Sequence, residues 1–383
     1  MKKVLPGNQH QKGHKGYHVP KVVELNGFML ESGYTFPFVD VAYETYGKLN
    51  AERSNTILVC HALTGNSHAS DFNNHAQGLL SRHNGWWDSL IGPGKGLDTN
   101  KYFIVCSNIL GSCYGTTGPS SINPQSGKGY AASFPEITVR DMVSLQKRLL
   151  DHLDISVLKL VIGGSLGGMQ ALEWGLLFPE KVERLLTIAT SAQHSAWAIG
   201  LNQAARLAIK NDPAWAGGNY KSQPAKGFGL ARIIAMLSYR SFQSYQQAHG
   251  RNVYQSGSGE NGLALFKESP PTFEMERYLH YQAEKITQRF DANSYITISN
   301  AMDNHNVARN RGKLNEVLSK YKAKTICMGI NSDLLYPAQE QKELAALIPN
   351  AQYHEIKSHH GHDAFLIEHE QVARSVREIL GDK

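Results

Sequence analysis

The stretch "VIGGSLGGMQALEW", Val161 to Trp174, sets one serine among four glycines and runs directly into a helix-like pattern. Within it Gly163, Gly164, Ser165, Leu166 and Gly167 fit G-x-S-x-G, with the strand-like "VLKLVIGG" before the serine and a helix after it. A serine on so sharp a strand-to-helix turn occupies a strained backbone region, and neighbours without Cβ permit the close packing that lifts its hydroxyl clear of a sheet. The helix N-terminus beneath offers free N–H groups and a positive dipole end to a developing oxyanion. A Gly-rich turn can also be a plain tight connection or a phosphate loop. No Gly-Lys-Ser/Thr follows, which excludes a P-loop.

The surroundings decide between these. "VDVAYETYG" (Val39 to Gly47) alternates as a half-exposed strand, whereas "TILVCHAL" (Thr56 to Leu63) and "YFIVCSNIL" (Tyr102 to Leu110) read as buried strands. "PEITVRDMVSLQKRLLDHL" (Pro135 to Leu153) spaces Ile137, Met142, Leu145, Leu149 and Leu153 as one helix face. "RLLTIATS" (Arg184 to Ser191), "AKTICMGINS" (Ala323 to Ser332) and "AQYHEIKS" (Ala351 to Ser358) are further strands, with helices expected at about 340–347 and 364–379. Such alternation predicts an α/β fold with a mostly parallel sheet covered by helices on both faces. Between 193 and 310 the alternation gives way to helical segments, expected as a lid inserted into a core of 21–192 and 311–383; 1–20 form a polar leader expected to be poorly ordered.

The chain has 383 residues, long enough for one large domain with an insertion. Hydrophobic residues at 41% and charged residues at 19% exclude a disordered or fibrous chain. Much of the net charge of +6 lies in the leader, so nucleic acid is not the expected partner. No 18-residue apolar run and no signal-type apolar region occur, so neither membrane spanning nor secretion is expected. Cys60, Cys106, Cys113 and Cys327 are widely spaced without a C-x-x-C, the pattern of reduced cytoplasmic thiols.

A serine at its ordinary pKa needs a base oriented by an acid, and on this fold both follow it in chain order. "TICMGINSDLLYP" sets Asp333 directly after a late strand, where the commoner role is a loop or cap aspartate. "KSHHGHDAF" supplies His359, His360 and His362 after the last strand, with Gly361 expected to give His362 a flexible approach. A His-rich turn is also a metal-site pattern, but no fourth ligand at suitable spacing stands out, and no metal is expected. "CHALTGNS" follows the strand at Thr56, so the Leu63 and Leu166 amides are the candidate oxyanion hole.

With these residues in place, the chain resembles the homoserine O-acetyltransferases, α/β-hydrolase-fold enzymes that activate homoserine for methionine synthesis. The likeness rests on "AYETYGKLN", "CHALTGNSHA", "GWWDSLIGPGKGLDT", "SNILGSCYGTTGPSSINP", "FPEITVRDMV", "GGSLGGMQALEW", "LSYRS", "RFDANSY" and "GHDAFL", and covers all but about the first twenty residues. It implies Ser165 as nucleophile, Asp333 as acid and His362 as base. It also implies that Arg232 binds the substrate carboxylate, Asp363 its amino group, and that Tyr239 lines the same pocket. One fixed cation and one fixed anion suit a zwitterion. From its own surroundings, among Leu230, Ile233, Ile234 and Leu237, Arg232 reads instead as an arginine snorkelling from a helix. Where many members carry Gly-Gly-Cys, this chain has Gly111, Ser112 and Cys113.

The resemblance implies acetyl-CoA as cosubstrate, no tightly bound cofactor, L-homoserine as acceptor, and a homodimer. Leu335 stands where succinyl-specific relatives carry an arginine, which favours acetyl as the acyl group. The rival expectations are a succinyl- or serine-specific relative, an esterase or thioesterase using the same three residues, and a non-catalytic binding protein of this fold.

Overall fold

The computed structural model describes residues 20–73, 85–255, 265–266 and 268–382; of the expected leader, only residue 20 falls within them. Its centre is an eight-stranded sheet. The strands are β1 (Lys21–Met29), β2 (Thr35–Tyr46), β3 (Thr56–Cys60), β4 (Phe103–Ser107), β5 (Leu160–Gly164), β6 (Arg184–Ile188), β7 (Lys324–Ile330) and β8 (Ala351–Ile356). Their spatial order is β1-β2-β4-β3-β5-β6-β7-β8. β1 and β2 form an antiparallel hairpin, β2 is antiparallel to β4, and every later pair is parallel. The hairpin was not evident from the sequence before Val39, because its exposed edge strand carries few of the continuous apolar residues that mark the centre.

β3 and β5 are buried at every position. Period-two geometry explains why both faces must be apolar. Leu58, Val105, Val161 and Leu185 join one core cluster with α1 (Val139–His152) and α2 (Leu166–Leu177). Their neighbours Ile57, Ile104, Leu160, Ile162 and Leu186 join a second cluster on the opposite face. α1 begins later than the expected Pro135 because Thr138 caps it: its hydroxyl accepts from the Asp141 N–H while the Asp141 carboxylate accepts from the Thr138 N–H.

Between β6 and β7 come α3 (Ala196–Lys210), α4 (Ala225–Tyr239), α5 (Phe242–Ala248), α6 (Glu274–Arg289), α7 (Ala292–Asp303) and α8 (Leu314–Leu318). α9 (Ala338–Leu347) and α10 (His369–Leu380) complete the described helices, and α10 packs Val372, Val376 and Ile379 into the second cluster. The single helix expected over 364–379 is instead a 3₁₀ turn, Gly361–Leu366, followed by α10, because Glu368 at ψ 56° interrupts the helical backbone. No described helix is long and apolar enough to cross a membrane.

A buried ion cluster ties α1 to α2 and to the approach to α8. Glu173, 1% exposed, accepts from Arg140 Nε at 3.1 Å and from Arg311 Nη1 at 2.7 Å.

Candidate active site

Ser165 follows β5 and carries φ 57° and ψ −127°, a conformation that L-residues adopt only when their surroundings enforce it. Its N–H donates to Ile188 O at 2.9 Å and its carbonyl accepts from Thr190 Oγ1 at 2.8 Å, both groups from β6 or just beyond it. The glycines serve close approach. A Cβ on Gly163 would lie 2.4 Å from the Gly167 carbonyl, and one on Gly167 would lie 2.1 Å from Cys60 O. Although Ser165 stands at the N-cap of α2, its side chain caps nothing. The hydroxyl is left to a cavity.

That cavity has ≈ 20 Å³ of free volume, room for about one water molecule. Ser165, His194, Tyr239, Tyr295, Leu335 and Tyr336 are among its walls. They follow β5, β6 and β7 or lie on α4 and α7, so helices between β6 and β7 supply walls of the cavity at the carboxyl ends of these strands.

Asp333 follows β7 and its side chain is fully buried. Oδ1 accepts from the Leu335 N–H at 2.8 Å and the Tyr336 N–H at 3.0 Å, while Oδ2 meets His362 Nδ1 at 2.7 Å. An ionised carboxylate can only accept, so Nδ1 carries the proton and Nε2 is the free base. Burial by itself would lower the His362 pKa; the charge and hydrogen bond of Asp333 outweigh it and hold the ring above the ordinary histidine range. The His362 ring lies 5.7 Å from that of Tyr239 and 5.3 Å from that of Tyr336, both walls of the Ser165 cavity. The structure thus joins Asp333 and His362 directly and packs the ring against two walls of the cavity that Ser165 lines. Among the described residues no hydrogen bond links Ser165 Oγ to the ring, a contact that often tightens only in the substrate complex.

Gly361, expected to be flexible, is constrained: at φ 70° a Cβ there would lie 2.7 Å from Ser241 N. The turn bearing His362 is therefore seated against the junction of α4 and α5. The Leu63 and Leu166 amides make no hydrogen bond to protein groups among the described residues, as an oxyanion hole requires.

Arg232 on α4 is half-buried, its guanidinium 5.6 Å from the centre of the Tyr239 ring. It is close enough to Asp363 to pull that carboxyl down against a larger upward push from burial, with His362 and Arg240 acting in the same sense as Arg232. Arg232, Tyr239 and Asp363 are therefore neighbours around His362. Sequence reasoning did not single out Arg240, whose Nη1 is 3.7 Å from Asp363 Oδ2 and whose Nε is buried without a partner. It also passed over His194. Arg240 stood in the quoted "LSYRS", beside Tyr239, but an arginine at a helix end carries no signal by itself. His359 and His360 lie against each other with tilted rings, centroids 4.1 Å apart, and no cluster of three or more metal-ligating side chains occurs among the described residues.

Residues 55–368 match the family model of the α/β hydrolase fold. Over 355 residues, 92% of either chain, the sequence is 48% identical to the homoserine O-acetyltransferase of Chlorobium chlorochromatii (strain CaD3). The chain belongs to the homoserine O-acetyltransferase family. The member from Methanococcus vannielii is 46% identical over 389 residues, covering all of this chain and 75% of the relative. Among solved structures, a homoserine O-acetyltransferase from Bacillus anthracis superposes with a TM-score of 0.84 at 32% identity, covering 96% of this chain and 99% of that one. The esterase E22 superposes with a TM-score of 0.83 at 28% identity, over 94% of this chain and 99% of that one. The homoserine O-acetyltransferase family and a hydrolase thus share this scaffold, and the residues at the site must separate them.

Proposed function

We infer that the protein transfers the acetyl group of acetyl-CoA to the side-chain hydroxyl of L-homoserine, giving O-acetyl-L-homoserine and CoA, with Ser165, His362 and Asp333 as its catalytic triad. His362 Nε2 takes the Ser165 proton as Oγ attacks the thioester carbonyl, and the Leu63 and Leu166 amides receive the oxyanion. The C–S bond breaks, the proton passes to the departing sulfur, and an acetyl-serine remains. Homoserine enters with its carboxylate on Arg232 and its ammonium toward Asp363, His362 removes its hydroxyl proton, and Oγ returns as the leaving group.

The observation that carries this reading is the 2.7 Å bond between Asp333 and His362, which fixes the basic tautomer of a ring packed against Tyr239 and Tyr336, two walls of the cavity that takes the uncapped serine hydroxyl. Leu335, 7% exposed in the cavity wall, is apolar where a succinyl carboxylate would need a cation, which supports acetyl. Exposed apolar side chains on α3 to α5, Trp197, Leu207, Leu230, Leu237 and Phe242, support the homodimer, to be checked by sedimentation. Four cysteines, none in a disulfide, support a cytoplasmic enzyme.

Mass spectrometry of the intact protein after exposure to acetyl-CoA tests the reading. One acetyl group should appear, map to the Ser165 peptide and disappear on adding homoserine. Free-thiol release that is indifferent to homoserine would instead favour the esterase alternative.

A further inference from the structure

The cavity that Ser165 lines is also walled by His194, Asn202 and Tyr336, members of a second chain of polar groups that the proposed reaction does not use. Asp303, the last residue of α7, accepts from His194 Nδ1 at 3.1 Å, from Asn202 Nδ2 at 2.8 Å and from Arg206 Nη2 at 2.5 Å. His194, between β6 and α3, reaches Tyr336 Oη with its other nitrogen, Nε2, at 3.0 Å. Tyr336 is bound into the triad as well, through its N–H to Asp333 Oδ1 and its ring against that of His362. His194 and Tyr336 both line the cavity with Ser165.

The protons in this chain follow from its donors. Burial would raise the Asp303 carboxyl, but bonds from His194, Asn202 and Arg206 hold it below the usual range, so it is ionised and only accepts. His194 Nδ1 therefore donates to Asp303, and among the described residues His194 Nε2 is the one acceptor within hydrogen-bond distance of the Tyr336 hydroxyl, so Tyr336 donates its proton to His194. Only lone pairs remain on the phenol oxygen for a molecule in the cavity.

An oxygen that can only accept favours a partner that donates. The reacting end of acetyl-CoA, a carbonyl and a thioether-like sulfur, has no donor. The amino-alcohol acceptor has two, its hydroxyl and its ammonium. We propose that Tyr336 Oη, held in acceptor polarity by Asp303 through His194, is a specificity-determining group for the acyl acceptor: it accepts from an ammonium N–H of the acceptor in the second half-reaction and has no part in the first. This inference rests on the transferase reading above and assigns a residue to its second step.

Two variants test it, each followed by rapid quench in separate half-reactions. Tyr336→Phe removes the oxygen. Asp303→Asn keeps the shape but reverses the polarity: charged Arg206 retains the amide oxygen, the Asn202 amide turns its own oxygen to the new NH₂, that NH₂ also faces His194 Nδ1, and the ring proton moves to Nε2. The Tyr336 hydroxyl then points its proton into the cavity. For both variants, CoA release on mixing with acetyl-CoA alone should stay within about twofold of wild type, while discharge of the acetyl-enzyme by homoserine should slow by about 10- to 100-fold, the range of one well-placed hydrogen bond to a charged or reacting group. A merely structural chain would slow both half-reactions together, and that result, or unchanged discharge in the well-folded Asp303→Asn protein, overturns the inference while leaving the transferase reading intact. A wild-type protein that forms no acetyl-enzyme overturns the transferase reading and this inference with it.

Discussion

Replacing Asp333 by asparagine should disable the enzyme by a route the geometry specifies. Asp333 Oδ1 already accepts two backbone N–H groups, from Leu335 and Tyr336, at 2.8 and 3.0 Å. An asparagine must keep its oxygen on those donors, because turning its NH₂ toward them would strand two buried amides and cost about 1–3 kcal/mol for each. The NH₂ then occupies the Oδ2 position, 2.7 Å from His362 Nδ1, and forces that nitrogen to accept. The ring proton moves to Nε2, the atom that should take the serine proton. For a tautomer reversal of this kind the loss in kcat is about ten-thousand-fold, or about 5.4 kcal/mol of activation free energy. The pH profile carries a second signature. His362 acts when neutral, and Asp333 holds its pKa above the ordinary range, so the acid limb of wild-type activity lies there; activity rises as pH passes upward through it. Without Asp333's charge, burial lowers the pKa against only the weaker pull of Asp363, and the residual activity should show its acid limb at lower pH. Thiol release from acetyl-CoA, followed across pH with thermal melting as a check on folding, measures both. A folded Asp333→Asn protein within tenfold of wild type would refute the tautomer argument, as would an acid limb that does not move.

Arg232→Lys should raise the homoserine KM by about 10- to 100-fold while leaving acetyl-enzyme formation intact, since lysine lacks the two-pronged match to a carboxylate; steady-state and half-reaction kinetics separate the two. Glu173→Ala takes the shared carboxylate from Arg140, which keeps Glu31 and two backbone carbonyls, and from Arg311, which keeps the Val307 carbonyl, and should cost about 2–3 kcal/mol in denaturant unfolding; a loss under 1 kcal/mol contradicts the buried-pair account. Burial and the nearby Asp333 charge raise the Glu340 carboxyl from 4.5 to about 7, and its Oε2 is buried without a partner. Its folded pKa lies above the unfolded one, so ionisation destabilises as pH rises from 4.5 through 7. Glu340→Gln should therefore gain about 1 kcal/mol at pH 8, after allowance for solvent screening, and nothing at pH 4, as read by thermal melting.

The parallel core was legible because strands covered on both faces must be apolar at every position, as in "TILVC" and "LVIGG". Ser165 was legible from the clash geometry that glycines avoid, and Asp333 and His362 from the strands they follow. The β1 edge strand and the break at Glu368 were not, since an exposed edge and a single non-helical residue leave little trace in composition. Nor was the His194–Asp303 pair. Those two residues lie more than a hundred positions apart, each is unremarkable in its own segment, and only the folding of α7 over the loop after β6 joins them.

The helices from α3 to α7 enter after β6 and return at β7, yet those two strands remain hydrogen-bonded neighbours, Leu185 facing Thr325 and Thr187 facing Cys327. The excursion therefore spans a gap one strand wide, and its length and sequence can drift without disturbing the spacing between Ser165 and Asp333. Natural variation or engineering can exchange these helices while Ser165 and Asp333 stay in register.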